Sequence, residues 1–191
     1  MSLISTLIVA ALVFGLCYLI DKVFTAKFRN TAQHRSGLAV RVNKRYGVFG
    51  ISLSVLGVLS IGVGITGGIA LIIGGIVVLI MGICLSVYYL VHGIFYDGES
   101  FLITSFRRED RVYHYRDIKD QKLFLVQGGS VIIELYLNDG SSVSLLSSMD
   151  GVYLFLDTAF AGWCMQKGID PQTCDFHDPS KSWWFPHEEE V

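Results

Sequence analysis

The sequence predicts an α+β membrane protein: three transmembrane helices, then an antiparallel β unit with one C-terminal amphipathic helix. Three observations predict it. Mean hydropathy is +0.51 and charged residues are only 17%, against roughly 25% in an ordinary soluble domain. Charge divides the chain in two. Up to Tyr96 there are seven Lys/Arg and one acid, Asp21, whereas from Asp97 onward there are eight Lys/Arg and sixteen Asp/Glu. Finally, the apolar period changes after His92, from long uninterrupted runs to short alternating ones.

The first helix is expected within residues 1–20. Ser2–Ile20 is an uncharged run of 19 residues, about 28 Å as a helix and close to the hydrocarbon thickness of roughly 30 Å. A cleaved signal peptide carries basic residues before its apolar run. Here they follow it, at Lys22, Lys27, Arg29, Arg35, Arg41, Lys44 and Arg45. Residues 21–45 therefore read as a basic cytoplasmic loop, with the N-terminus outside the plasma membrane.

Residues 46–93 read as a transmembrane hairpin. Tyr46–Tyr96 contains no Asp, Glu, Lys or Arg over 51 residues. As one helix this would be about 77 Å, more than twice one span, so the chain must fold back. Glycine is densest at 62–68, which predicts the turn there, with a second span at Tyr46–Ile61, Gly64 being its furthest end, and a third at Ile69–Val91. The second span leaves the cytoplasm and the third returns, placing the acidic half inside.

Two glycine series recur every seven residues: Gly50, Gly57 and Gly64, then Gly68, Gly75 and Gly82. A heptad returns to nearly the same helix face, and small residues let helices approach closely in lipid. These six are the expected helix-packing positions. Gly62, Gly64 and Gly67 also spell G-x-G-x-x-G, the dinucleotide-binding spacing. That turn needs a preceding strand and an acid about 20 residues on. The next acid is Asp97, beyond an entire apolar span. No nucleotide is expected, and Gly62 and Gly67 are assigned to the turn. With no buried acid or base in the spans, an ion pathway is disfavoured.

Residues 95–168 predict the β unit. "SFLITSF" (100–106), "RVYHYRDI" (111–118), "KLFLVQ" (122–127) and "SVIIELYL" (130–137) are β-rich, and "NDG" (138–140) signals a hairpin into "SSVSLLS". Alternation puts Val131, Ile133, Leu135 and Leu137 on one face. A helix follows, with Ser147 and Asp150 at capping-box spacing. Its expected apolar face is Met149, Val152, Tyr153, Leu156, Phe160 and Trp163, with Gly168 as its stop.

The series "FLITSF", "VYHYRDI", "IIELYLNDG" and "VSLL" before one helix resembles bacterial pleckstrin-homology-like (PH-like) domains fused to transmembrane helices. An aromatic residue before an Asp-Ile pair, here Tyr115, Asp117 and Ile118, belongs to that resemblance. It implies a curved antiparallel β-sheet or barrel closed by the helix, acting as a binding or assembly module. In related eukaryotic domains the first strand–turn–strand binds phosphoinositides through basic residues. Arg107, Arg108 and Arg111 are the corresponding lipid-headgroup candidates, although Glu109 and Asp110 offset two of their charges.

The tail, 169–191, holds all three prolines and reads as extended. Trp183, Trp184 and Phe185 are too apolar for water, and docking on the domain is expected. Cys174 and His177 with His187 do not complete the four ligands of a zinc site, so no metal is expected. Cys17, Cys84, Cys164 and Cys174 read as reduced thiols.

No G-x-S-x-G, H-E-x-x-H or P-loop occurs, and no cofactor is expected. The acidic second half disfavours nucleic acid. The leading expectation is a non-enzymatic integral membrane protein whose cytoplasmic module serves assembly or regulation, with copies of itself or other membrane proteins as partners. An accessory subunit of a transport or export complex is the alternative. A lipid-directed enzyme near His92 and the arginines is a weaker one.

Overall fold

The structure is a computed structural model and describes residues 26–104 and 111–187, with Ala11, Phe14, Gly15, Tyr18, Leu19 and 21–23. The expected first span therefore lies largely outside the described residues. Two compact units form, one built on Val42–His92 and the other on Asn30–Arg41 together with the chain from Gly93.

The first unit is a helical hairpin. Helix α2 covers Lys44–Gly67 and helix α3 covers Ile69–Val91; the short α1, Ala32–Arg35, belongs to the other unit. Both α2 and α3 are long and apolar enough to cross a membrane. The Asn43 side chain opens α2 by accepting from the Arg45 amide at 3.0 Å. The turn is narrower than expected. Gly62 and Gly67 are helical, and Gly68 alone breaks the chain at φ +116°, which L side chains rarely adopt. Its amide donates to the Gly64 carbonyl at 3.0 Å.

The seam between α2 and α3 is built from backbone. A Cβ on Gly57 would lie 2.5 Å from the Leu79 amide nitrogen, and one on Gly82 would lie 2.5 Å from that of Ser54. Gly50, Gly64 and Gly75 are equally confined by the facing helix. Gly68 is the exception among the six expected packing positions: open space surrounds it, because it is the turn itself. Ser54 and Ser86 share the seam. Each donates its hydroxyl to the carbonyl four residues back, Gly50 and Gly82 respectively, at 2.9 Å. A hydroxyl satisfied on its own helix can enter an apolar contact without a stranded donor.

The second unit has two antiparallel sheets. One runs in the order β1 (Leu38–Arg41), β2 (Gly93–Tyr96), β3 (Ser100–Thr104), β4 (Arg111–His114); the other is β5 (Ile118–Leu125), β6 (Val131–Leu137), β7 (Ser142–Leu146). Helix α4, Val152–Lys167, follows. The segment expected as a basic loop thus supplies α1 and β1. Leu38 pairs with Tyr96 and Arg41 with Gly93, so the chain leaves this unit and re-enters it at facing positions. On its other side, β1 exchanges two main-chain bonds between Arg41 and Asp150, at 2.9 and 3.0 Å.

The alternation of β6 appears as expected: Ile133, Leu135 and Leu137 are buried. The helix differs at its start and on its face. Ser147 does not cap it, because its hydroxyl accepts from the Val131 amide at 3.0 Å and closes the β6–β7 pair. The N-cap is Gly151 at φ +82°, where a Cβ would press on the Ala39 carbonyl at 2.7 Å. Phe155 and Ala159 are buried on α4, whereas Tyr153 is half exposed. Gly168 ends the helix in the left-handed region as expected.

Candidate functional site

The residues behind the PH-like resemblance have structural work. Tyr115 is fully buried, and its hydroxyl donates to the Asp97 carbonyl at 2.5 Å. Its ring stacks on Phe101, which meets Phe155 of α4 edge-on. Burial, reinforced by the Asp97 charge, pushes the Tyr115 phenol far above its usual range. The Asp117 carboxylate accepts from the His114 amide at 3.0 Å. Ile118 is buried and its carbonyl accepts from the Trp163 indole at 3.1 Å. This series locks the sheets to α4.

Of the three arginine candidates, Arg107 and Arg108 lie outside the described residues. Arg111 is 61% exposed and 3.7 Å from the Asp139 carboxylate. Asp139 is held below its usual range chiefly by Ser141, whose hydroxyl and amide donate to it, with Tyr113 and Arg111 adding to this. Arg111 thus faces a carboxylate already engaged with its neighbours.

The tail forms the most developed binding arrangement. It is not extended throughout: Pro171–Thr173 and Pro179–Lys181 are 3-10 turns. Trp184 is 1% exposed and Phe185 0%. Trp183 stays at the margin, stacked on His187 with ring centroids 4.2 Å apart. The receiving residue is Gln121 on β5, itself fully buried. Its side-chain oxygen accepts from the Trp184 and Phe185 amides at 3.0 and 2.9 Å. Its side-chain nitrogen donates to the Ser182 carbonyl at 2.6 Å, and its main-chain amide donates to the Pro186 carbonyl at 2.7 Å. The Trp184 indole donates to Asp157 of α4 at 2.8 Å. One glutamine thus bonds the tail backbone at four points, Ser182, Trp184, Phe185 and Pro186.

Sequence reasoning missed Gln121 because the register shifts between Ile118 and Asp120. The shift places Gln121, not Asp120, opposite buried Leu135. A bulge re-aims a side chain in this way, and paired residues share a face of the sheet. Cys164 and Cys174 are free thiols, as is Cys84. His177 lies flat on Phe160 with centroids 3.7 Å apart, and no cluster of metal-binding side chains forms among the described residues. His114 is exposed on its strand.

No protein-family model, curated protein or solved structure matches the chain.

Proposed function

We propose that this chain is a multi-pass integral membrane protein with its N-terminus outside and a PH-like cytoplasmic module that mediates assembly or regulation without catalysis. The observation that carries the reading is the inverted packing of the hairpin. Buried positions on α2 are Gly47, Gly50, Ser54, Gly57 and Gly64, and on α3 Gly75, Gly82, Ser86 and Val91. Bulky side chains face outward, with Val48 at 67%, Ile65 at 76% and Ile69 at 74% exposure. Water opposes that arrangement, whereas lipid matches it, because close approach rather than burial of oil joins helices there.

Two further features support the reading. Because Arg41 faces Gly93 in one ladder, both ends of the hairpin return to the unit that contains that ladder. That is consistent with an even number of crossings between them and with the basic segment and acidic half on one side. Strands in antiparallel order followed by a single helix packed through Tyr115 and Ile118 fit the PH-like reading, and they offer an interaction platform rather than a reaction centre.

The test is full-length expression in a bacterial host with alkaline extraction and fusion reporters. The protein should stay in the membrane pellet, a C-terminal fluorescent protein should mature, and a periplasmic reporter inserted at Gly68 should be active. Release by alkali, or an active periplasmic reporter at the C-terminus, overturns the reading. Purification in mild detergent then separates modes of action: self-associated chains support assembly, and a stable co-purifying transporter supports the accessory-subunit alternative.

A further inference from the structure

The hairpin carries a groove at the end where α2 begins and α3 finishes. It has a volume of about 280 Å³ and is lined by Lys44, Gly47, Val48 and Ile51 on one side and by Ser86, Tyr89 and Leu90 on the other, the Ser86 hydroxyl being committed to the Gly82 carbonyl at 2.9 Å. Its cause is local. A Cβ on Gly47 would lie 2.7 Å from the Tyr89 ring, so the ring rests directly on the α2 backbone and forms a wall. Ile51 lies about two helical turns from Lys44, roughly 10 Å along the axis. The hollow is therefore elongated, apolar along its length and cationic at one end.

The charge is unopposed on these helices. No Asp or Glu occurs anywhere in Tyr46–Tyr96, and among the described residues no carboxylate pairs with Lys44. Arg45 adds a second cation beside it. Tyr46, Tyr88 and Tyr89 stand at the same end of the hairpin, the side-chain type enriched at the headgroup level of membranes. An amphiphile with a chain to fill the hollow and a negative head to meet Lys44 satisfies every part of this arrangement. A soluble anion leaves the apolar walls empty, and a zwitterionic lipid brings its own cation to the rim.

We propose that this groove binds one acyl chain of an anionic glycerophospholipid, with Lys44 holding the headgroup phosphate. The site is distinct from the arginines of the β unit. It rests on the membrane reading above, and the experiment separates the two.

The full chain is purified in detergent and titrated with phosphatidylglycerol or phosphatidylcholine of identical chains, counting bound lipids by native mass spectrometry. The first phosphatidylglycerol should bind at least about fivefold tighter than phosphatidylcholine, the scale of one basic contact at an anionic surface. Lys44→Gln should abolish that preference, and Lys22→Gln, the same charge removed outside the groove, should keep it. Ile51→Trp should fill the hollow and weaken both lipids. Equal binding of the two lipids by the unaltered chain overturns the site. So does an equal loss in Lys44→Gln and Lys22→Gln, which signifies diffuse charge, or full lipid binding by Ile51→Trp. A chain that alkali strips from membranes sinks the membrane reading itself.

Discussion

Replacing Gln121 by leucine should release the tail without unfolding the β unit. Leucine fills similar space but returns none of the three side-chain bonds to Ser182, Trp184 and Phe185. The two amides are buried, and each stranded buried donor costs about 1–3 kcal/mol, which centres the loss near 4 kcal/mol. An independent route bounds it. Detaching the tail returns Trp184 and Phe185 to water, at about 1.5–3 kcal/mol for each large apolar side chain. Both routes give about 4 kcal/mol, within the roughly 5–15 kcal/mol that holds a domain together. The better outcome for the variant is therefore local release. Hydrogen exchange on the full chain reads it at the main-chain amide of residue 121, whose bond to the Pro186 carbonyl survives the substitution. Protection there should fall by about three orders of magnitude, at roughly 1.4 kcal/mol per tenfold. Amides in the β5–β6 ladder at Leu123 should stay protected. A change below about tenfold at residue 121 would refute the assignment of Gln121 as the tail's anchor.

Two further predictions concern the seam and the buried thiol. Gly57→Ala should lower the melting temperature of the full chain in detergent, because its Cβ meets the Leu79 backbone at 2.5 Å and overpacking costs about 1–3 kcal/mol. Gly74→Ala, with open space around it, should leave it unchanged or raise it, and equal shifts would sink the seam. Cys164 is pushed up to about 11 by burial first, then by its neighbours Cys174 and Asp170. Its unfolded value is about 8.5, so the folded chain keeps a proton that the unfolded chain loses, and stability falls as pH rises from about 9 to 11. Tyr115, also raised, adds the same sign above about pH 10. The denaturation midpoint should therefore fall less in Cys164→Ala than in the unaltered chain between pH 8 and 10.5. Parallel slopes would remove the claim.

Local patterns were legible where one physical rule dominated. The charge-free run set the hairpin, and its second helix, α3, starts at Ile69 as the glycine-dense break suggested. The β6 alternation was legible because one face is buried and the other only half-buried. Other features depend on distant partners. Four residues of β1, "LAVR", look like loop until β2 arrives across the whole hairpin to pair with them. Ser147 has a helix-capping pattern but spends its hydroxyl on Val131. Gln121 sits in a run whose alternation is broken by a bulge, and period counting cannot place a bulge. Among the tail aromatics, Trp184 and Phe185 could be read as too apolar for water, but not which strand would receive them.

The pairing of β1 with β2 also orders events in time. Strand β1 leaves the ribosome first and waits with an unsatisfied edge while the entire hairpin is made. On the proposed topology, β2 can reach it only if the chain has crossed the bilayer and come back. A chain whose hairpin stalls keeps β1 and β2 apart, exposing main-chain edges of the kind that template aggregation. On that topology, closure of one short ladder makes a completed crossing a condition of completing the β unit.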